Sequence, residues 1–262
     1  MEEKQMNVKK LCCVLSVLCI LGIGTTAHAD WTFGIGTGIS GLDVQGDLGF
    51  NSRLAGGPVM VDVDLSPSDI SDFVDSAFGL GGFATNGRVV FEASFSYLSL
   101  NGDSNRAFEN TTLHSELTYD FTRADFTAGY NVVKNENFVL RPYVGARYNQ
   151  HEMEAELVLY GVGERNRTLD NDWTDALVGI AMDVPFAGAY TWSTKFDYGF
   201  GGSEGSYFVN SGVTLNITKH WFTGIFGQYY AIEYENDHEG DLDWYLYDVE
   251  EASAGVKIGF KW

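Results

Sequence analysis

The chain is short of cysteine, proline and positive charge. Its three cysteines stand at positions 12, 13 and 19, so nothing beyond the first 19 residues can form a disulfide. An oxidising compartment would permit such bonds, but the rest of the chain makes no use of them. Only four prolines occur, and no Pro/Ser-rich linker or change of composition divides the sequence, which favours one domain. Lys and Arg together number 16 against 36 Asp and Glu, a net charge of −20. That balance excludes a nucleic-acid binder, which needs clustered cations, and leaves divalent cations or basic peptides as electrostatic partners. The one long apolar run, Leu11 to Ile23, is well short of the roughly 20 residues a membrane helix needs. No long segment carries the 3.6-residue period of an amphipathic helix.

That apolar run follows Lys9 and Lys10 and precedes "TTAHAD". Basic region, apolar region and small-x-small site describe a secretory signal, with cleavage expected between Ala29 and Asp30. Residues 1–29 carry a net charge of +1, so their removal takes the chain from −20 to −21 and takes all three cysteines with it. The expected organisation is a signal peptide over 1–29 and a single domain over 30–262.

Beyond residue 76 the sequence alternates. In "VVFEASFSYLS" Val89, Phe91, Ala93, Phe95 and Tyr97 share one face, opposite Glu92, Ser94 and Ser96. The last segment sets Ala254, Val256, Ile258, Phe260 and Trp262 against Ser253, Gly255, Lys257, Gly259 and Lys261. A period of two is that of a strand. Segments of about 10 to 14 residues suit strands that cross a membrane at a tilt. Aromatics recur at segment ends (Trp31, Trp173, Trp192, Trp221, Tyr229, Tyr230, Trp244, Tyr245, Trp262), as interfacial girdles would.

Short turns near 84–88, 134–137, 186–190 and 218–220 alternate with longer polar stretches at 51–75, 101–110, 161–171, 201–206 and 236–249. The expectation is an all-β transmembrane antiparallel up-and-down β-barrel of ten strands, with eight and twelve as neighbouring counts. The segment 111–133 shows a phase slip near Thr122. One short helix is expected near 66–74, from Ser66 before Pro67 with Asp69 following. It would lie in the barrel mouth or lumen, or form a turn of an extracellular loop.

Few motifs suggest chemistry. "GTGISG" (Gly36 to Gly41) matches a dinucleotide fingerprint but sits inside an alternating segment with no helix after it, so it reads as strand. In "LHSE" alternation puts His114 and Glu116 on one face and Ser115 on the other, which excludes a nucleophile–base pair. The polar faces carry charges of both signs that would line the lumen: Glu92, Glu116, Arg123, Asp125, Arg141, Arg147, Asp175, Asp183, Lys195, Asp197 and Lys257, with Lys261 beside them. Such charges either pair and fill a narrow barrel or line an aqueous path. The acidic stretch "YENDHEGDLDWYLYDVEE" offers Asp237, Glu239, Asp241 and Asp243 as hard oxygen ligands for a divalent cation, at a spacing that fits no calcium loop. No resident metal and no cofactor is expected, and no catalytic residue is identified.

Taken together, "WTFGIGTGISGLDVQGDLGF", "VDVDLSPSDISDFVDSAFGLGGFATNGR", "DWTDALVGIAMDVPF", "FDYGFGGS" and the terminal "AGVKIGFKW" resemble a group of uncharacterised Gram-negative outer-membrane β-barrel proteins. The resemblance implies residence in the outer membrane, contact with its lipid and lipopolysaccharide, and insertion by the barrel-assembly machinery. The terminal Ile258, Phe260 and Trp262 resemble the signal that machinery reads. The leading expectation is a non-enzymatic barrel forming a narrow porin-like channel for small solutes or ions. Its alternatives are a closed structural or adhesive barrel acting through acidic extracellular loops, and a surface hydrolase. Ten-stranded outer-membrane proteases carry acids and a His at the rim, which Asp237–His238 and Asp62/Asp64 echo loosely.

Overall fold

The computed structural model describes residues 31–52, 57–108, 111–159, 163–239, 241 and 243–262. The expected signal peptide lies outside the described residues. Twelve strands and one helix follow in order: β1 (Thr32–Ser52), β2 (Gly57–Leu65), α1 (Pro67–Phe73), β3 (Val74–Thr85), β4 (Val89–Phe108), β5 (Thr111–Tyr130), β6 (Val133–Lys134), β7 (Val139–Leu159), β8 (Gly163–Phe186), β9 (Tyr190–Phe200), β10 (Gly205–Asn216), β11 (Trp221–Asn236) and β12 (Tyr245–Lys261). Ten of them close into an antiparallel barrel, and β2 and β6 are additions to it.

Closure runs between β1 and β12, in unbroken register from Gly34↔Lys261 to Phe50↔Tyr245. The two strands approach so closely that a Cβ on Gly255 would run into the Ile39 carbonyl, which is why a glycine stands there. Short turns at 86–88, 187–189 and 217–220 lie at the end that holds both barrel termini, the periplasmic end by the usual rule. At the other end β4–β5 and β7–β8 continue as ladders to Phe108↔Thr111 and Leu159↔Gly163. The polar stretches 101–110 and 161–171, expected as loops, are therefore mostly strand. The slip expected near Thr122 is absent too: β5 pairs with β4 without a bulge.

Alternation sorts the side chains into two sets. The outward set is apolar for about ten residues from the periplasmic end, as in Ile35 and Ile39, Val144 and Ala146, Val178 and Ile180, or Val256 and Ile258. It then turns acidic at a common height, at Asp43, Asp120, Asp172, Glu233 and Glu250. At the lower rim the rings of Phe126, Phe91, Trp31, Phe33, Trp262, Phe260 and Trp221 follow one another with centroids 5.1 to 6.4 Å apart, an interfacial girdle. Tyr190 to Phe200 spans the belt on β9. Its ten steps of about 3.3 Å, at a tilt of about 40°, give a height of about 25 Å, that of an outer-membrane hydrocarbon layer.

One stave is broken. β2 pairs with the upper half of β1 (Val44↔Leu65 to Ser52↔Gly57) and β3 with its lower end (Thr32↔Thr85 to Gly36↔Gly81). Between them lies α1. Ser66 caps it: its hydroxyl accepts from the Asp69 N–H, and the Asp69 carboxylate accepts from the Ser66 N–H at 3.0 Å, with Pro67 entering the first turn. Only Ile70 of the helix is buried, and the chain turns extended at Val74. Pro67 rests against Gly41 of β1, and the Phe73 ring against Gly102 of β4. The helix thus interrupts a descending wall strand, rather than filling the lumen or decorating a loop.

Substituting Gly255→Val puts two methyl groups where the β1 backbone must pass. Overpacking of this kind costs about 1–3 kcal/mol. On heated and unheated gels the variant is expected to show a smaller fraction of the compact, closed form than the wild type.

Candidate functional site

The interior is where this sequence places its charges. Nearest the periplasm, Glu92 of β4 is shared by Arg141 of β7 and Lys195 of β9, each at 3.0 Å, and Arg141 also approaches Asp183 of β8 at 3.5 Å. Lys257 of β12 lies within electrostatic reach of Asp183 and Glu92. In the next layer Arg147 contacts Asp125 at 2.8 Å and Asp197 at 3.2 Å. The Tyr143 hydroxyl donates to Asp197 at 2.8 Å. Asp175 stands opposite Arg147 across the β7–β8 ladder, yet it is held elsewhere. It accepts from the backbone N–H groups of Gly202 (3.0 Å) and Ser203 (2.7 Å) and from the Ser203 hydroxyl. Arg147, Asp175 and Asp197 are 1%, 0% and 0% exposed.

Above them Arg123 forms a two-point bridge to Glu251, at 2.9 and 3.2 Å, and its Nε donates to Asn149 at 3.1 Å. The guanidinium lies over Tyr230, 3.9 Å from the ring centroid, while Arg147 reaches the same ring at 4.9 Å. One tyrosine ring thus meets two cations, Arg123 with one carboxylate and Arg147 with two. Such pairing offsets much of the cost of burying an ion, and the aromatic face adds to it.

The uppermost layer is aromatic. Trp173 stacks on Tyr234 at 3.9 Å, and Tyr245, Tyr247, Ile232 and Val249 complete the cluster. His151 sits inside it, 2% exposed. Its Nδ1 lies 2.8 Å from the Tyr119 hydroxyl and 2.9 Å from that of Tyr245, and its ring meets Tyr247 edge to face at 4.3 Å. This layer stands above Gln150 on β7 and Glu250 on β12, outside the apolar belt. Burial, and next to it the Arg123 charge, hold the imidazole well below its ordinary pKa, so it is neutral.

Glu92, Arg123, Asp125, Arg141, Arg147, Asp175, Asp183, Lys195, Asp197 and Lys257 fall in the inward set and converge. Glu116 does not. With β5 running straight, its parity is opposite to that of Arg123, and it accepts from Asn101 at 3.0 Å on the outer surface. The side chains of His114 and Ser115 lie outside the described residues. Glu251 was missed, although it shares the phase of Ser253 and Lys257. Trp173, Tyr230 and Tyr245, expected in the girdles, face inward instead; their parity was the available signal. Trp244 is buried, with its indole N–H on Glu235 at 2.7 Å. In the acidic turn the His238 N–H donates to Asp241 at 3.2 Å and the Asp241 N–H returns to the His238 carbonyl at 2.9 Å. Among the described residues no three His, Cys, Asp or Glu gather as a metal site, and Asp237, Glu239, Asp241 and Asp243 are not brought together.

Two predictions follow from the layers. Arg147→Ala removes the guanidinium that Asp125 and Asp197 share, and is expected to lower stability by about 3–5 kcal/mol in urea unfolding. His151 is neutral when folded and titrates near 6.5 when unfolded, so protons favour the unfolded chain. Its contribution is complete above about pH 6.5 and falls by about 1.4 kcal/mol for each pH unit below that, until the folded group itself titrates. The difference in unfolding free energy between wild type and His151→Phe should therefore shrink on going from pH 7.5 to 5.5.

No protein-family description matches the sequence, and no curated protein matches it. Solved structures do match in fold. The outer-membrane protease OmpT of Escherichia coli aligns over 91% of this chain and 98% of its own, at 10% identity and a TM-score of 0.55. The translocator domain of the autotransporter NalP from Neisseria meningitidis aligns over 98% and 95%, at 10% identity and a TM-score of 0.46. Ail, the attachment invasion locus protein of Yersinia pestis, aligns over 88% and 98%, at 12% identity and a TM-score of 0.33. The fold is that of the Gram-negative outer-membrane β-barrels, and the apolar belt with its girdle seats this chain in the outer membrane.

Proposed function

We propose that this protein is a closed, non-catalytic outer-membrane barrel that works through the acidic surface it holds above the membrane. The observation that carries this reading is the Arg123–Glu251, Tyr230 and Arg147–Asp125/Asp197 stack. It crosses the interior with both guanidinium groups at 10% side-chain exposure or less. A conducting path needs hydrated charges with room beside them. Here the charges are in contact with one another and with aromatic faces, and a second, aromatic layer lies above them. The narrow-channel reading would need both layers to part.

The hydrolase reading has less support. OmpT is a protease, and that activity belongs to OmpT. In this chain His238 meets Asp241 through its backbone N–H, an arrangement that shapes a turn and sets up no proton transfer.

Conductance of residues 30–262, refolded in detergent and added to a planar bilayer, tests the proposal. The expected trace is silent although the gel shows a closed barrel; discrete, reproducible openings would sink the closed-barrel reading. Peptidase activity that disappears in the Asp237→Asn, His238→Ala double variant would overturn the non-catalytic part.

A further inference from the structure

The broken stave leaves a strand edge without a partner. β2 pairs with β1 and, among the described residues, with no other strand. Which of its backbone groups are free follows from the ladder. Phe33 and Trp262 exchange both hydrogen bonds, so the odd residues of β1 bond toward β12 and the even ones toward β2 and β3. The even residues Val44, Gly46, Leu48 and Phe50 stand opposite Leu65, Val63, Val61 and Val59. Met60, Asp62 and Asp64 therefore turn their N–H and C=O groups away from β1. Pro58 belongs to the same set, and a proline fits a strand where its missing N–H would face an open edge.

The surface beside that edge has one sign of charge. Cross-strand registers place Glu233, Asp248, Asp47 and Asp62 directly opposite one another across β11, β12, β1 and β2, all in the outward set and all exposed. Glu250, Gln45 and Asp64 form the adjacent row. No Lys or Arg stands in the outward sets of these four strands, and none of the acids in either row takes part in an ion pair among the described residues. Like charges directly opposite on a sheet repel. A row of four costs stability that a cationic neighbour would recover. The rows begin where the apolar belt ends, so they face water and not hydrocarbon.

We propose that the outer edge of β2 takes up an extended segment of another polypeptide, with Lys or Arg at alternate positions, as an added strand. The guest's backbone would pair with Met60, Asp62 and Asp64. Its alternate side chains would point outward with theirs and bring cations to Asp62, Asp64 and Asp47. Backbone pairing supplies the affinity of such strand addition, and the alternate side chains supply the choice of partner. The period of two in the guest follows from the pleat of β2.

This proposal rests on the reading of a barrel that acts through its acidic surface. Bilayer conductance tests whether the barrel is closed, and the binding experiment does not depend on that result. The protein is refolded in detergent, its closure confirmed on gels, and titrated with a fluorescent nonapeptide of alternating Lys and Thr at low and at high salt. Expected is binding that weakens as salt rises, falls about tenfold or more in Asp62→Asn, Asp64→Asn, and is lost with an N-methylated peptide of the same sequence. Asp62→Pro removes one outward N–H while sparing the bonds to β1, and is expected to weaken binding to a similar degree. Equal binding of the N-methylated peptide would reduce the contact to charge attraction and overturn strand addition. Absence of binding to a closed wild-type barrel would overturn the proposal altogether.

Discussion

An amide in hydrocarbon has no water to bond to, and that constraint shapes most of this molecule. A sheet can satisfy it only by closing, and closure here depends on the β1–β12 ladder. That ladder joins the first strand to the last, so no part of the barrel is complete until the end of the chain is in place. The close approach at Gly255 belongs to the same requirement. The outward girdle does too: Phe33 of β1 and Trp262 beyond β12 stack at 6.0 Å across the closure.

Closing ten strands leaves an interior that side chains can fill, and the chain fills it with ions. Five cations (Arg123, Arg141, Arg147, Lys195, Lys257) stand among six carboxylates (Glu92, Asp125, Asp175, Asp183, Asp197, Glu251) inside the wall, Asp175 being held by the Gly202 and Ser203 N–H groups instead of a cation. Isolated, each would carry a heavy desolvation cost. Paired, most of them hold one another, and Arg123 and Arg147 both lie against one ring, that of Tyr230. Burying ions seldom adds stability over a well-packed apolar interior. It does fix which strand faces which, because Arg123 on β5 must find Glu251 on β12 across the barrel. That selectivity would be hard to obtain from interchangeable aliphatic residues.

Much of this was legible in the sequence, because a two-residue period records which solvent each face meets. It gave the barrel, the count of ten, the helix start at Ser66 and nearly all the inward charges. It failed where composition was read in place of phase. Trp173, Tyr230 and Tyr245 looked like girdle residues because they are aromatic, yet their parity already matched the lumen. Glu116 was turned inward by a phase slip that the straight β5 ladder does not contain. The polar stretches after Asn101 and Gly161 looked like loops. A hairpin above the membrane has water on both faces, and there alternation no longer reports a strand.

The broken stave is where, among the described residues, the barrel departs from its governing constraint. Between Gly36 and Val44, β1 has no ladder partner on the β3 side among the described residues, and the Thr37 hydroxyl donates to the Gly79 carbonyl, at 2.6 Å, across the gap. Backbone outside a ladder is tolerated at membrane depth where water can reach it. The interior beside β3 allows that, because a side chain at Gly79 would meet nothing within 4 Å. An unbroken strand from Gly57 to Thr85 would have avoided the cost by pairing along its whole length. The capped helix at Pro67 prevents this, and its consequence is that β2 stands above the belt with one edge open among the described residues. A wall that gives up pairing in hydrocarbon in order to hold a bare, acidic edge in water is arranged for something to meet that edge.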